Sequence, residues 1–159
     1  MSKIKILSVR IERVPDTFPD LSYLGKYDNQ PTVAWAIDRK ERGDMRHGQY
    51  RYFNPAMSGK ETGNDASPEQ DYQRSEAYNR GDWWVVGIIA KAEVRLTEHG
   101  PTQTLRSGGL WGVESDGGEA YLSEIGREQL SQLCDELEAI GLSDRAITRA
   151  FQRVELVTR

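Results

Sequence analysis

The sequence predicts an α+β domain in which an antiparallel sheet of about four or five strands packs against two or three helices. Three observations predict it. Apolar residues recur at every second position from Trp84 to Leu96, the period of a strand. They recur at helical spacing from Leu122 to Ile140. Strand-like segments are followed by helix-like ones, without the βαβ alternation of a parallel sheet. The 159 residues suit one domain, 1–159, and no internal repeat or long linker divides them.

Taken in order, Lys3 to Val14 reads as a strand whose apolar phase slips between Ile6 and Leu7, as a bulge would make it. Pro15 to Pro31 carries turn residues, yet also Phe18, Leu21, Tyr23, Leu24 and Tyr27, so this loop packs down or waits for a partner. Thr32 to Asp38 alternates like a short strand with one bulky face, Arg39 to Gly48 is a polar connection, and Gln49 to Phe53 completes a hairpin. Residues 54–67, rich in Gly, Ser, Asn and Pro, are expected to be a mobile loop. Pro68 to Asn79 reads as a helix capped by Ser67 and stopped at Gly81.

The run from Trp84 has apolar residues on both faces at its start and on one face at its end. A turn at His99-Gly100-Pro101 sends the chain back as an antiparallel partner over Thr102 to Glu114. The glycines of Ser107-Gly108-Gly109-Leu110-Trp111-Gly112 mark a bend, a bulge or a close approach within it. Ser115 or Asp116 then caps a long helix to Ile140, which can kink or split at Gly126. Ser143 caps a last short helix, and Val154 to Val157 can add an edge strand or fray.

Composition narrows the function classes. Cys134 is the only cysteine, so no internal disulfide forms, which favours a reducing compartment. The N-terminal stretch interleaves Lys and Arg with single apolar residues, unlike a signal peptide. No apolar run approaches the ~20 residues of a membrane span. The expected location is the cytoplasm, without a membrane. The net charge of −4 argues against a dedicated nucleic-acid binder. The charge is uneven, however: Arg127 alone offsets seven acids between Asp116 and Glu138, whereas Arg39 to Arg51 is basic.

No catalytic constellation emerges, and no cofactor is implied. His47 and His99 lack partners at metal-ligand spacing. Cys134 sits beside Asp135 and Glu136, the wrong setting for a reactive thiol, and reads as a small buried hydrophobe. The glycine-rich segment lacks the lysine and following helix of a phosphate loop. Asp16, Asp20 and Asp28 share one loop and offer oxygen ligands to a divalent ion, but aspartates there also make turns. The basic stretch with Tyr50, Tyr52 and Phe53 suits nucleic-acid contact less well than strand packing. The acids of the long helix can imitate the charges of a nucleic-acid backbone, although such rows are ordinarily a solvated face.

Four segments together carry a resemblance: Pro15 to Gly25, Tyr50 to Phe53, Glu76 to Trp84, and Ser107 to Ser115. Through them the chain resembles a group of uncharacterised proteins encoded by bacteriophages and other bacterial mobile elements. The group contributes no catalytic residues. The resemblance implies a small accessory protein, such as those that block CRISPR or restriction systems by binding a component.

The leading expectation is therefore a non-enzymatic binding protein whose partner is a host protein. Its expected partner-binding residues are Asp16, Asp20, Tyr23 and Tyr27 in the loop, and Glu124, Glu128, Asp135 and Glu136 on the long helix. The alternatives are a metal-dependent hydrolase or nuclease using Asp16 and Asp20, and a small-ligand (nucleotide) sponge with Trp83 and Trp111 at its pocket.

Overall fold

Among the 4–64 and 67–158 residues that the computed structural model describes, alternation and amphipathic spacing resolve into eight strands and five helices. In chain order these are β1 (Lys5–Pro15), β2 (Gly25–Asp28), β3 (Ile37–Asp38), α1 (Arg39–Arg42), β4 (Tyr52–Pro55), α2 (Gly59–Thr62), α3 (Ser67–Arg80), β5 (Val85–Arg95), β6 (Thr102–Arg106), β7 (Leu110–Glu114), α4 (Glu119–Ala139), α5 (Asp144–Phe151) and β8 (Glu155–Thr158). The fold is α+β. It divides into two compact units, one formed by Met1–Thr17 with Trp84–Arg159, the other by Phe18–Trp83.

The first unit is a five-stranded sheet ordered β6-β5-β1-β8, with β7 also pairing to β5. All pairs are antiparallel except β1 with β8, which is parallel over Arg10–Arg13. The register of β1 on β5 skips Leu7, between Ile6 and Ser8, where the apolar phase slips. The return strand opposite β5 is split into β6 and β7. At the break, Ser107 takes over the pairing: its N–H donates to the Ala90 carbonyl at 2.9 Å and its hydroxyl accepts from the Ala90 N–H at 3.0 Å.

Helices α4 and α5 cover one sheet face. The core there contains Val9, Ala90, Ala92 and Val94 from the strands, with Leu133, Leu137, Leu142 and Ile147 from the helical side. A second cluster joins Val86, Ile88 and Val113 to Leu122 and Ile125. The alanines of β5 let the helix come close, and Gly126 does the same from α4. A Cβ at Gly126 would stand 3.1 Å from Ile11 Cδ1, so this glycine admits β1 and the helix continues unbroken through it.

The α4 N-terminus departs from expectation. Its cap position is Gly118, without a side-chain cap, and neither Ser115 nor Asp116 fills the role. Ser115 is used elsewhere: its hydroxyl accepts from the Trp84 N–H at 3.0 Å and its own N–H donates to the Trp84 carbonyl at 2.8 Å. Ser143 does occupy the cap position of α5, but its side chain makes no cap hydrogen bond.

The second unit is a three-stranded antiparallel sheet ordered β2-β4-β3, with α3 packed on β4 and β2. Only Ile37–Asp38 of the expected Thr32–Asp38 strand is a strand. Upstream, the Ala36 N–H donates to the Val33 carbonyl in a turn, the Thr32 N–H donates to Asn54 Oδ1 at 2.8 Å, and the Trp35 indole donates to the Pro55 carbonyl at 3.1 Å. Side-chain and turn bonds thus take the place of a ladder. The polar connection after Asp38 begins with one helical turn, α1, whose first N–H groups the Asp38 carboxylate accepts. Within 54–67 lie the end of β4 and α2, held by a reciprocal Ser58–Glu61 capping box; residues 65–66 lie outside the described residues. Ser67, expected as the cap of α3, is its first residue.

Candidate functional site

In the second unit, the polar side chains of β2, α1 and α3 converge on Arg39, which is 3% exposed. Its guanidinium donates to the Tyr50 carbonyl at 2.8 Å, to Gln49 Oε1 at 3.1 Å, to Glu76 Oε1 at 3.3 Å and to the Tyr72 hydroxyl at 3.4 Å. The Tyr27 hydroxyl donates to the same Glu76 oxygen at 2.5 Å and accepts from Asn79 at 3.0 Å. The Tyr27 ring lies against Phe53 and beneath Arg39. Burial, then the Glu76 acceptor, pushes the Tyr27 phenol far above its ordinary range, and burial raises Tyr72 as well. A phenol kept protonated and a guanidinium held by four acceptors do not supply a base or a nucleophile. They cross-brace the strands, the Gln49–Tyr50 segment and α3. Tyr27, expected at a partner surface, is committed to this brace.

The remaining loop residues are separately placed. Asp20 accepts from the Ser22 N–H at 2.9 Å, and the Ser22 hydroxyl, then this N–H, hold its carboxyl below the usual range; Asp28 accepts from the Gln30 N–H at 3.1 Å. Both therefore make turns of the Asx kind. Asp16 belongs to the first unit, where its N–H donates to the Val85 carbonyl at 2.8 Å. Tyr23 is half exposed, while Leu24 anchors the loop in the core. Among the described residues no group of three or more His, Cys, Asp or Glu is placed to hold a metal ion.

The two tryptophans expected at a pocket belong to different units. Trp83 is core: its indole donates to the Arg74 carbonyl at 3.0 Å, Arg74 stacks 3.7 Å above the ring, and Tyr78 meets it edge-on. Trp111, half exposed on β7, fills the space beside Gly87 of β5.

Beyond Glu119, the acidic residues of α4 line its exposed side. At 3.6 residues per turn, Glu124, Glu128 and Asp135 fall within roughly 40° of one another, spread over about 16 Å of helix axis. Glu138 continues this row, and Glu136 stands about 120° away from Glu124. All five are exposed. Among the described residues, the side chains of Glu124, Glu128, Asp135 and Glu136 have no hydrogen-bonding or ion-pair partner. Glu138 accepts from the Cys134 thiol at 3.4 Å, and burial followed by that contact raises the thiol above its ordinary value. Cys134 is half-buried against the core, and its raised value favours the thiol over the nucleophilic thiolate.

Several acids on other surfaces are paired, whereas the exposed side chains of Glu41, Glu98, Asp144 and Glu155 are not, among the described residues. Arg13 makes two bonds to Glu119, Arg42 two to Glu69, Arg51 holds Asp38 and Arg80 holds Asp82. In the sheet, Glu12 is 1% exposed and receives Arg10 at 2.8 Å together with Lys91, while Arg10 also reaches Glu93 at 3.2 Å. Alternation in β1 already put Arg10 and Glu12 on one face; that Lys91 comes from a strand about eighty residues later was the missing information. The Arg39 brace was hidden for the same reason.

Among the described residues no helix is long and apolar enough to cross a membrane. No protein-family model, no curated protein and no solved structure matches the chain.

Proposed function

We propose that the chain is a non-enzymatic binding protein of a bacteriophage or other mobile element, which acts in the cytoplasm by occupying the nucleic-acid-binding surface of a bacterial defence protein. The observation that carries this reading is the row of Glu124, Glu128 and Asp135, which projects from α4 with no pairing cation among the described residues. Leaving such a row unpaired costs little in water, and it becomes useful when a basic groove desolvates it. Carboxylates spaced by about 6 and 10 Å along a rod offer the kind of charge that a groove for a polyanion accepts. An origin in a mobile element, itself part of this reading, assigns such a groove to a CRISPR or restriction enzyme.

The test uses hosts that carry defined CRISPR or restriction systems. Expression of the wild-type chain raises the plating of a targeted phage, the tagged chain co-purifies with a subunit of the blocked system, and Glu124→Lys/Glu128→Lys/Asp135→Lys/Glu136→Lys abolishes both effects. Unchanged plating across the panel, or full activity of the reversed variant, overturns the reading.

A further inference from the structure

β1 is paired along its whole length on one side only. On the other side β8 covers Arg10–Arg13 and stops, because the chain reaches the sheet at Glu155 after leaving α5. Between Lys5 and Val9, alternate main-chain N–H and C=O groups therefore face away from β5 along an edge to which no described strand pairs. Beside this edge runs a groove of 1360 Å³, bounded by β1, the residues after β5, and α5.

The floor of the groove is apolar, with Ile6, Leu142, Ala146 and Ala150. Its rim is basic. Lys5, Arg95, Arg149 and Arg153 line it against Glu98 and Glu155. Arg149 and Arg153 are exposed and, among the described residues, have no carboxylate partner, in contrast to Arg13, Arg42, Arg51 and Arg80. Exposed in this way, the two guanidiniums are open to carboxylates of another molecule.

We infer that the open half of the β1 edge binds an extended acidic peptide segment of a partner protein, which adds to the sheet as a strand in line with β8. Main-chain bonds to Lys5–Val9 supply the affinity, and alternate side chains divide between the apolar floor and the basic rim. Five residues of strand span about 16 Å, so the segment is short. The Leu7 bulge shortens the regular edge further and disfavours long, unselective pairing. This surface is separate from the acidic row of α4 and opposite to it in charge, so the inference stands whether or not that row is used.

The probe is a fluorescein-labelled heptapeptide alternating Glu and Val, blocked at both ends, titrated with the full chain and read by anisotropy. Saturable binding is expected. It is expected to weaken at least about tenfold for the Lys/Val counterpart, for the Glu/Val peptide N-methylated on its valines, and for Arg149→Glu/Arg153→Glu, whose fold is verified by circular dichroism. Glu124→Lys/Glu128→Lys leaves the affinity unchanged. Hydrogen exchange of the Lys5–Val9 amides slows in the bound state. No saturable binding, or a loss below tenfold in any of the three comparisons, overturns the inference. A dimer in sedimentation velocity that Arg149→Glu/Arg153→Glu dissociates and the peptide does not would place a second copy at the edge, and would overturn it as well.

Discussion

The indole of Trp111 on β7 occupies the place where a side chain at Gly87 on β5 would stand. A Cβ there meets the six-membered ring at a distance that real Cβ atoms do not tolerate, so Gly87→Ala has to displace Trp111. The expected cost is about 1–3 kcal/mol. In a Trp111→Ala background the same substitution is nearly free, giving a coupling of at least about 1 kcal/mol in a double-mutant cycle read by urea unfolding.

Glu12→Gln leaves Arg10 and Lys91 facing each other around a neutral amide in the sheet. A loss of about 3 kcal/mol is expected. Glu93→Gln, at the wetter end of the same row, costs less than about 1 kcal/mol. Equal effects in urea titrations of the two variants would contradict the burial of Glu12.

Tyr27 makes the second unit sensitive to alkali. Its folded value lies above the ordinary 10.0, so below pH 10.0 both states hold the proton and stability does not change with pH through this group. Above it the unfolded chain releases a proton that the folded chain retains, and stability falls as pH rises. Tyr27→Phe removes part of that alkaline loss, while costing about 1 kcal/mol at neutral pH for the bond to Glu76. Urea midpoints from neutral to about pH 11 test both signs. On the acid side, Glu69 and Glu119 are held low by Arg42 and Arg13, so their contribution is present above the unfolded value and is lost as pH falls through the folded one.

The α4 row predicts a separation of stability from binding. Glu124, Glu128 and Asp135 are exposed and, among the described residues, unpaired, so changing all three to Lys shifts unfolding by no more than about 0.5 kcal/mol per site. Affinity for a basic partner falls by at least about tenfold, and wild-type affinity declines with added salt. Thermal unfolding and binding isotherms on the same samples check the pair of outcomes.

What the sequence discloses here is local periodicity. β5 is legible because Val86 to Val94 keeps one face, and the bulge at Leu7 because two apolar phases meet there. The row on α4 follows from i, i+4 and i+7 spacing, which also sets Glu136 aside. Non-local pairing hid the rest. Thr32 to Ala36 alternates like a strand, but the Asn54 amide clamps its start from 22 residues away. Ser115 looks like a cap until Trp84 claims its hydroxyl. The Ser58–Glu61 capping box was present in the residues and obscured by the composition around it. Arg149 and Arg153 stand four apart in plain view, yet their meaning depends on where β8 ends along β1.

β1 is synthesised before both of its partners and completed after them. Its antiparallel partner, β5, emerges only after Phe18–Trp83, and its parallel partner, β8, only at the end of the described chain. Without help, joining Pro15 to Val86 means closing a loop of roughly seventy residues, an entropic barrier that delays non-local pairing. The second unit is contiguous, so it can fold on the ribosome while β1 waits, and its folding shortens that loop before β5 arrives. Mutations that loosen the Arg39 brace therefore slow assembly of a sheet to which Arg39 contributes no strand.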